Sequence, residues 1–211
     1  MSRHQAFVDA ARTATALVLD PEVERRWRDP SALSQMSIGA LTAHLVAQVV
    51  STAAGVLDPS AASTEQPVGL LDHYERAAWV GATLDDEANV SIRERAERTA
   101  ADGYAGTRAR LERACHQLDP WPGKTPSVVR MPWWDWSLTL DDFLLTRMME
   151  LMVHADDLAV SLGVPTPEFP RSVTRPVFML LTALAERKHG QTAVVRALTR
   201  SERAPGSLAV F

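Results

Sequence analysis

Cysteine is nearly missing from the sequence, which holds only Cys115 among its 211 residues. A single cysteine excludes an intrachain disulfide, so the composition fits a reducing cytoplasm. The N-terminal segment 1–20 lacks the continuous apolar core of a signal peptide and has the pattern of an amphipathic helix. A cytoplasmic location is the expectation that follows.

A strong charge of one sign is also missing. The net charge is −4 and acidic and basic residues are interspersed, so nothing indicates a nucleic-acid partner. No uncharged apolar run has both the length and the flanks of a membrane span, and the closest, 36–57, is rich in small and hydroxylated residues and contains a histidine. The expected partners are therefore small molecules, bound by a monomer or a homodimer.

Helical periodicity is the main feature that the sequence does contain. Apolar residues make up 46% of the chain, enough for a real core, and no alternation of strands and helices is visible. A short strand is predicted at 128–131, inside a segment rich in proline and tryptophan. The predicted helices cover residues 3–19, 37–57, 68–82, 84–118 with a break near Gly103 or Gly106, 139–163, 171–188 and 191–201.

These elements predict an all-α fold. The expected architecture is an antiparallel four-helix bundle with a short C-terminal helical extension. The bundle is assigned to residues 1–163 and the extension to residues 164–211.

One predicted helix contains the segment "LLTRMMELMVHADDLAV" (144–160), in which four ionisable residues interrupt an apolar run. At about 100° per residue, Arg147, Glu150, His154 and Asp157 fall within roughly 80° of one another and form one stripe. A buried charge must be paired, hydrogen-bonded or bound to a metal. The stripe is therefore either two ion pairs at i, i+3 spacing or part of a site.

A second predicted helix, 37–57, contains no Asp, Glu, Lys or Arg, and His44 is its only ionisable side chain. Gln48 lies on the same face as His44. One interpretation is a core histidine that hydrogen-bonds a backbone carbonyl or Gln48. The other is that His44 faces the stripe of the later helix.

Taken together, the two helices suggest a metal site. Helical bundles build such sites from inward-facing His and Glu side chains on facing helices. Glu150 and His154, at i and i+4, can offer an oxygen and a nitrogen to one point, and His44 would supply the third ligand. Two His and one carboxylate leave a position open, as in catalytic Zn²⁺ sites. Asp157 and Arg147 would then orient a ligating His and Glu150 by hydrogen bonds.

Two other pairs have similar spacing. Glu112 and His116 lie at the edge of a helix among arginines, and His189 follows Glu186 just before a glycine that ends a helix. Both pairs are interpreted as exposed to solvent.

The residues of both helices resemble a known family. "SIGALTAHLVAQ" (37–48) resembles the segment with the first metal-ligand His in the DinB-like superfamily, closest to the mycothiol-dependent maleylpyruvate isomerase family. "TRMMELMVHADDLAVSLG" (146–163) is similar to that family's second signature, R-x-x-E-x-x-x-H-x-x-D-L. "SIRERAERTA" (91–100) and the C-terminal tail resemble actinobacterial members.

The resemblance implies a DinB-like bundle that holds a divalent metal, usually zinc, at His44, Glu150 and His154. It also implies the thiol cofactor mycothiol, bound to the metal as a thiolate. The implied function is a metal-dependent transferase or cis–trans isomerase that uses mycothiol on a small electrophilic substrate. The alternatives are a non-catalytic metal-binding bundle with a stress or regulatory role, and a bundle with a buried ion network and no metal.

Other candidate residues are assigned less directly. The founding isomerase has a larger C-terminal domain that contributes to its site, so Arg175 and Arg196 are only candidates here and the catalytic residues are left unassigned. Cys115 lies on a predicted core face and is not expected to be a nucleophile. The "PWWDW" segment is either a packed cap on the bundle or a pocket wall, and its aromatic residues are Trp133, Trp134 and Trp136, which Gln48 could join.

Overall fold

α-Helices form most of the chain between residues 2 and 211, the part that the structure, a computed structural model, describes. The predicted all-α class is confirmed. Two short strands, β1 (Val128–Val129) and β2 (Leu138–Thr139), pair in antiparallel orientation. The helices are α1 (Arg3–Val18), α2 (Pro21–Arg25), α3 (Ile38–Leu57), α4 (Leu70–Arg76), α5 (Glu87–Ala100), α6 (Gly103–Leu118), α7 (Leu140–Leu162), α8 (Arg171–His189) and α9 (Gln191–Thr199).

The long helices enclose one core. α1 packs along α7, α7 along α3, α3 against α5 and α6, and α6 against α1. Side chains from each of these walls, including Phe7, Leu41, Leu111 and Met148, are fully buried. α8 packs on α1 and α7, and α9 packs on α8. The predicted helical bundle is therefore present, whereas the division of the chain after residue 163 stays a prediction.

Several predicted elements are shorter than expected. The helix predicted over 84–118 begins at Glu87 and divides into α5 and α6 at Gly103, whose φ of 77° is left-handed. The helix predicted over 68–82 is reduced to α4, since the chain turns after Arg76. The strand predicted over 128–131 is reduced to β1. Periodicity locates such elements but not their ends, which depend on local turns.

Hydroxyl side chains define where α3 and α7 begin. Ser37 Oγ accepts a hydrogen bond from the Ala40 N–H at 3.0 Å, and Thr139 Oγ1 accepts one from the Asp142 N–H at 3.1 Å. Ser37 directly before an apolar run and Thr139 three residues before Asp142 are sequence patterns that predict these caps. Each cap satisfies a backbone donor that the first turn leaves free.

The uncharged helix α3 is long and apolar enough to cross a membrane, with a mean hydropathy of 1.5 over an 18-residue window. In the bundle 67% of that window is buried. The burial arises because α3 packs against α5, α6 and α7 at once. Contact with three helices thus accounts for the lack of charged residues along α3.

Gly39 allows the chain before α3 to approach the first turn of that helix. A Cβ at this position would lie 2.6 Å from Trp27 Cε2 and 2.8 Å from the Trp27 carbonyl oxygen. The Gly39 N–H donates to that carbonyl at 2.8 Å, and the Trp27 indole donates to the Ala100 carbonyl at 3.1 Å. The missing side chain therefore lets Trp27 connect the start of α3 to the end of α5.

We expect Gly39→Ala to lower the free energy of unfolding by about 1–3 kcal/mol, since the new methyl group has no space beside a backbone oxygen. Denaturant unfolding measures the change. Gly123→Ala is the matched control, because no atom lies within 4 Å of a Cβ there. Equal stability of Gly39→Ala and the parent protein would contradict the packing described.

Candidate metal centre

Three side chains with metal-binding atoms meet where α3 and α7 pack together. His44 comes from α3, and Glu150 and His154 come from adjacent turns of α7. One nitrogen or oxygen from each residue lies within 4.8 Å of the other two. Glu150 Oε2 is 3.1 Å from His154 Nε2 and 3.7 Å from His44 Nε2. The structure thus brings together the three residues that the sequence proposed as ligands.

The group is largely buried but not closed. The side chains of His44, Glu150 and His154 are 22%, 12% and 17% exposed to solvent, respectively. The two imidazole rings meet edge to face, with centroids 4.7 Å apart. Part of each of the three side chains therefore remains in contact with solvent, while most of the surrounding surface is protein.

The spacing of the donor atoms fits a small divalent ion. Zinc bonds of about 2.0–2.2 Å in tetrahedral geometry place neighbouring donor atoms roughly 3.3–3.5 Å apart. The two distances from Glu150 Oε2, 3.1 and 3.7 Å, bracket this value. Two imidazoles and one carboxylate also form the donor set of catalytic zinc sites with an open position. The residues present therefore fit such an ion.

Opposing effects set the charges of this group. Burial alone would raise the pKa of Glu150, but hydrogen bonding from His154 and the positive charge of Arg147 hold it well below its usual value. Burial also disfavours the charged form of His154, yet hydrogen bonds to Asp157 and Glu150 raise its pKa to about 9. Burial prevails at His44 and lowers its pKa. In the metal-free protein at neutral pH, a carboxylate thus pairs with the His154 imidazolium beside a neutral imidazole.

Asp157 orients His154. Its Oδ2 atom accepts from His154 Nδ1 at 2.9 Å, while Nε2 on the other side of the ring points to Glu150. A carboxylate on Nδ1 keeps the proton there, so Nε2 is the atom that can bind a metal. Asp157 is not part of the three-residue donor group, in keeping with the orienting role proposed for it.

Arg147 lies beside the group but contacts a different partner from the one predicted. The sequence suggested that it would orient Glu150, whereas its Nη1 donates to Gln48 Oε1 at 2.6 Å and its Nε donates to Thr146 Oγ1 at 3.1 Å. No ion pair joins Arg147 to Glu150 within 4.0 Å among the described residues. The guanidinium reaches across to α3 instead of along its own helix.

This contact turns the Gln48 amide toward His44. Arg147 has only donors, so the Gln48 oxygen must face it and the amide nitrogen must point away. That nitrogen is 3.0 Å from the His44 carbonyl oxygen and 3.5 Å from His44 Nε2. Gln48 therefore contacts both the backbone carbonyl and the ring of His44. His44 has the core partner that the sequence suggested and also faces the stripe of α7.

The tryptophans form a wall of graded exposure. Trp134 lies beside Arg147, with its ring centroid 5.9 Å from the guanidinium carbon. Trp136 stacks on Trp134 at 6.1 Å, while Trp133 is 51% exposed and meets Trp134 edge to face. The segment therefore borders the candidate site through Trp134, and Trp133 lies farthest out.

Sequence reasoning missed His73 and Tyr74 in α4. Both are buried, and the positive Arg147 and negative Glu150 influence the pKa of each, which places α4 near the metal group. Their signal was present, since His73, Tyr74 and Ala77 follow the spacing of a buried helical face. The segment looked like an ordinary short helix because that face is only one turn long.

The remaining candidates lie elsewhere. Arg175 and Arg196 are exposed on α8 and α9, and Glu112 and His116 are exposed on α6, as expected for the latter pair. Cys115 is partly buried beside Thr15, and burial raises the pKa of its thiol. A raised pKa reduces the thiolate fraction, which agrees with the expectation that this cysteine is not a nucleophile.

A family model described as the mycothiol maleylpyruvate isomerase N-terminal domain matches residues 7–159. The matched range holds all three donor residues and ends before α8. Neither a curated protein nor a solved structure matches the chain.

We expect Asp157→Asn to lower the pKa of His154 in chelator-treated protein from about 9 toward its ordinary value, because an accepting carboxylate is lost. Nuclear magnetic resonance of ¹⁵N-labelled histidine measures this pKa. Asp156→Asn, a neighbouring exposed acid bonded to Thr166, is the control. An unchanged pKa in Asp157→Asn would contradict the assigned contact.

The same contact predicts how stability depends on pH. A histidine whose pKa is raised on folding stabilises the protein fully below its unfolded value of about 6.5, and this contribution is lost as the pH rises through the folded value. Metal-free protein should therefore lose unfolding free energy between about pH 6.5 and 9. Asp157→Asn should lose less over this window, and an equal loss in both proteins would show that the stabilising contact lies elsewhere.

Proposed function

We propose that this chain, which belongs to the family of mycothiol maleylpyruvate isomerase N-terminal domains, is a metal-dependent enzyme that uses mycothiol. The reaction would be an S-transfer or a cis–trans isomerisation of a small electrophilic substrate. The observation that carries this proposal is the convergence of His44, Glu150 and His154 on one point. Among divalent metals, zinc suits this donor set best.

The protein's own residues would prepare the site before any ligand arrives. Glu150 provides a full negative charge, since its pKa is held below the usual range by His154, which hydrogen-bonds to it, and by Arg147. Asp157 holds the His154 ring, and Gln48 lies against His44. A bound divalent ion would supply Lewis acidity, which favours the ionised, nucleophilic form of a thiol.

The surroundings would limit access by water and orient the substrate. Trp134 and Phe143 flank the Arg147 guanidinium at 5.9 and 5.7 Å, so an apolar wall lies directly beside the polar group. Such a combination of apolar surface and a few fixed polar groups is typical of small-molecule sites. The proposal places this site in the cytoplasm, without a nucleic-acid or membrane partner.

A non-catalytic metal-binding bundle is the second candidate. The matched model describes an N-terminal domain, and the match ends at residue 159. α8 and α9 follow the matched range, and their Arg175 and Arg196 are exposed and lie away from the three donor residues. A dependence on thiol distinguishes the two candidates.

We expect His44→Ala, Glu150→Gln and His154→Ala each to weaken zinc binding by more than about 100-fold. Asp157→Asn should weaken it by roughly 10–100-fold, the usual effect of losing a residue that orients a ligand. Competitive titration and metal analysis of protein purified without an affinity tag provide the measurements.

His116→Ala is the matched control for these variants, because His116 has the same i, i+4 relation to an acidic residue but is exposed on α6. It should leave zinc affinity unchanged. Tight binding that survives His44→Ala would mean that the three residues are an ion network and not a metal site.

We expect mycothiol to stabilise only the metal-loaded protein against heat. At 100 times the dissociation constant, a ligand adds about 2.7 kcal/mol, enough for a clear shift of the melting temperature. S-methyl mycothiol is the control, because it cannot form a thiolate. No shift with thiol in fully metal-loaded protein would favour the non-catalytic candidate, as would an equal shift after chelation.

A further inference from the structure

His73 is enclosed by aromatic rings next to the candidate metal centre. It is 3% exposed, and the ring of its neighbour Tyr74 lies 5.0 Å away, centroid to centroid. Trp134 lies 4.8 Å and Trp136 5.8 Å from it, both edge to face. A buried polar ring among apolar ones has a solvation cost that must be offset by hydrogen bonds.

One hydrogen bond determines which nitrogen of His73 carries the proton. The Trp136 indole Nε1–H donates to His73 Nδ1 at 3.0 Å. An indole nitrogen can only donate, so Nδ1 must offer a lone pair and the proton of the neutral ring is on Nε2. Burial and the positive charge of Arg147 lower the pKa of His73 to about 4, which keeps the ring neutral near pH 7.

The Nε2–H that results has no acceptor in the protein. Among residues 2–211, the Trp136 contact is the only side-chain hydrogen bond of His73. Nε2 is also not one of the fully sealed polar atoms that lack a partner, whereas the Tyr74 hydroxyl is. A buried donor whose direction is fixed and that has no acceptor among the described residues is a group that a ligand oxygen could satisfy.

A second donor, Arg147, also lies near Trp134. The Arg147 guanidinium is 5.9 Å from the Trp134 ring centroid, and no carboxylate lies within 4.0 Å of it in the described chain. Its hydrogen bonds go to the neutral oxygens of Gln48 and Thr146. Trp134 therefore has two donors near it, the neutral N–H of His73 and the Arg147 guanidinium, which has no direct carboxylate partner within residues 2–211.

We propose that His73 binds the substrate, donating its Nε2–H to a carbonyl oxygen of a planar molecule that lies against Trp134. Planar shape suits the tryptophan ring, and the oxygen suits a donor whose direction Trp136 fixes. Trp136 is a positioning residue, since it acts through His73. This inference deepens the proposed function by naming a chemical class of substrate, a planar carbonyl compound, and it does not depend on the metal.

The first test examines the free protein. Magnetic resonance of ¹⁵N-labelled histidine should show His73 with a bare Nδ1 and a protonated Nε2, and Trp136→Phe should produce a mixture of both tautomers. A proton on Nδ1 in the parent protein would overturn the proposal. So would an unchanged tautomer in Trp136→Phe.

The second test uses acetophenone as the planar carbonyl probe and ethylbenzene as its counterpart without oxygen. His73→Asn can still accept from Trp136 but has no group at the Nε2 position. We expect this variant to bind acetophenone about 3–10-fold more weakly, the equivalent of one hydrogen bond, and to bind ethylbenzene as before. His73→Gln, with an amide near the Nε2 position, should recover part of the affinity.

Tyr74→Phe is the matched control, because the Tyr74 hydroxyl is buried without a partner and should contribute nothing to either probe. Binding of both probes is followed with and without chelator, in the absence of thiol. Equal affinity of His73→Asn and the parent protein for acetophenone would overturn the proposal, as would failure of the parent to bind acetophenone. If chelator removes zinc and His73→Asn still binds acetophenone more weakly than the parent does, the role of His73 stands without the metal. The proposed metal-dependent reaction can therefore fail while this inference holds.

Discussion

The close packing of α3 on α7 is the constraint on which the rest of the site depends. Each helix carries ionisable side chains into a largely apolar interface, where a buried charge must be paired or hydrogen-bonded. Glu150 is compensated by His154 from its own helix and approached by His44 from the other. The α3–α7 contact adds His44 to this pair and so assembles two imidazoles and a carboxylate around one point.

Hydrogen bonds from neighbouring residues determine which atoms of the site side chains can donate, accept or bind a metal. Asp157 fixes the proton of His154 on Nδ1, and Arg147 turns the Gln48 amide toward His44. Trp136 fixes the proton of His73 on Nε2 in the same manner. A carboxylate can only accept hydrogen bonds, and a guanidinium or an indole N–H can only donate them. Each of these groups therefore determines the tautomer or the amide orientation of its neighbour. The family membership, confirmed over residues 7–159, agrees with a site of this kind.

Sequence reasoning was most reliable where one helix decides the outcome. The i, i+3, i+4 spacing placed Glu150, His154 and Asp157 on one stripe, because helical geometry leaves little freedom over two turns. It was wrong about the partner of Arg147, since a long side chain can reach along its helix or across to the next. It also missed His73, because α4 is too short for periodicity to separate a buried face from an exposed one.

The sequence by itself determined the all-α class, the uncharged core helix and the polar stripe, since these follow from local periodicity and from the cost of burying charge. It also determined the caps at Ser37 and Thr139, which are local hydrogen bonds. Only the tertiary structure decided that α4 and the tryptophan segment border the metal group. Those contacts join residues more than 60 positions apart, as between His73 and Trp136, and no local pattern encodes which distant surfaces will meet.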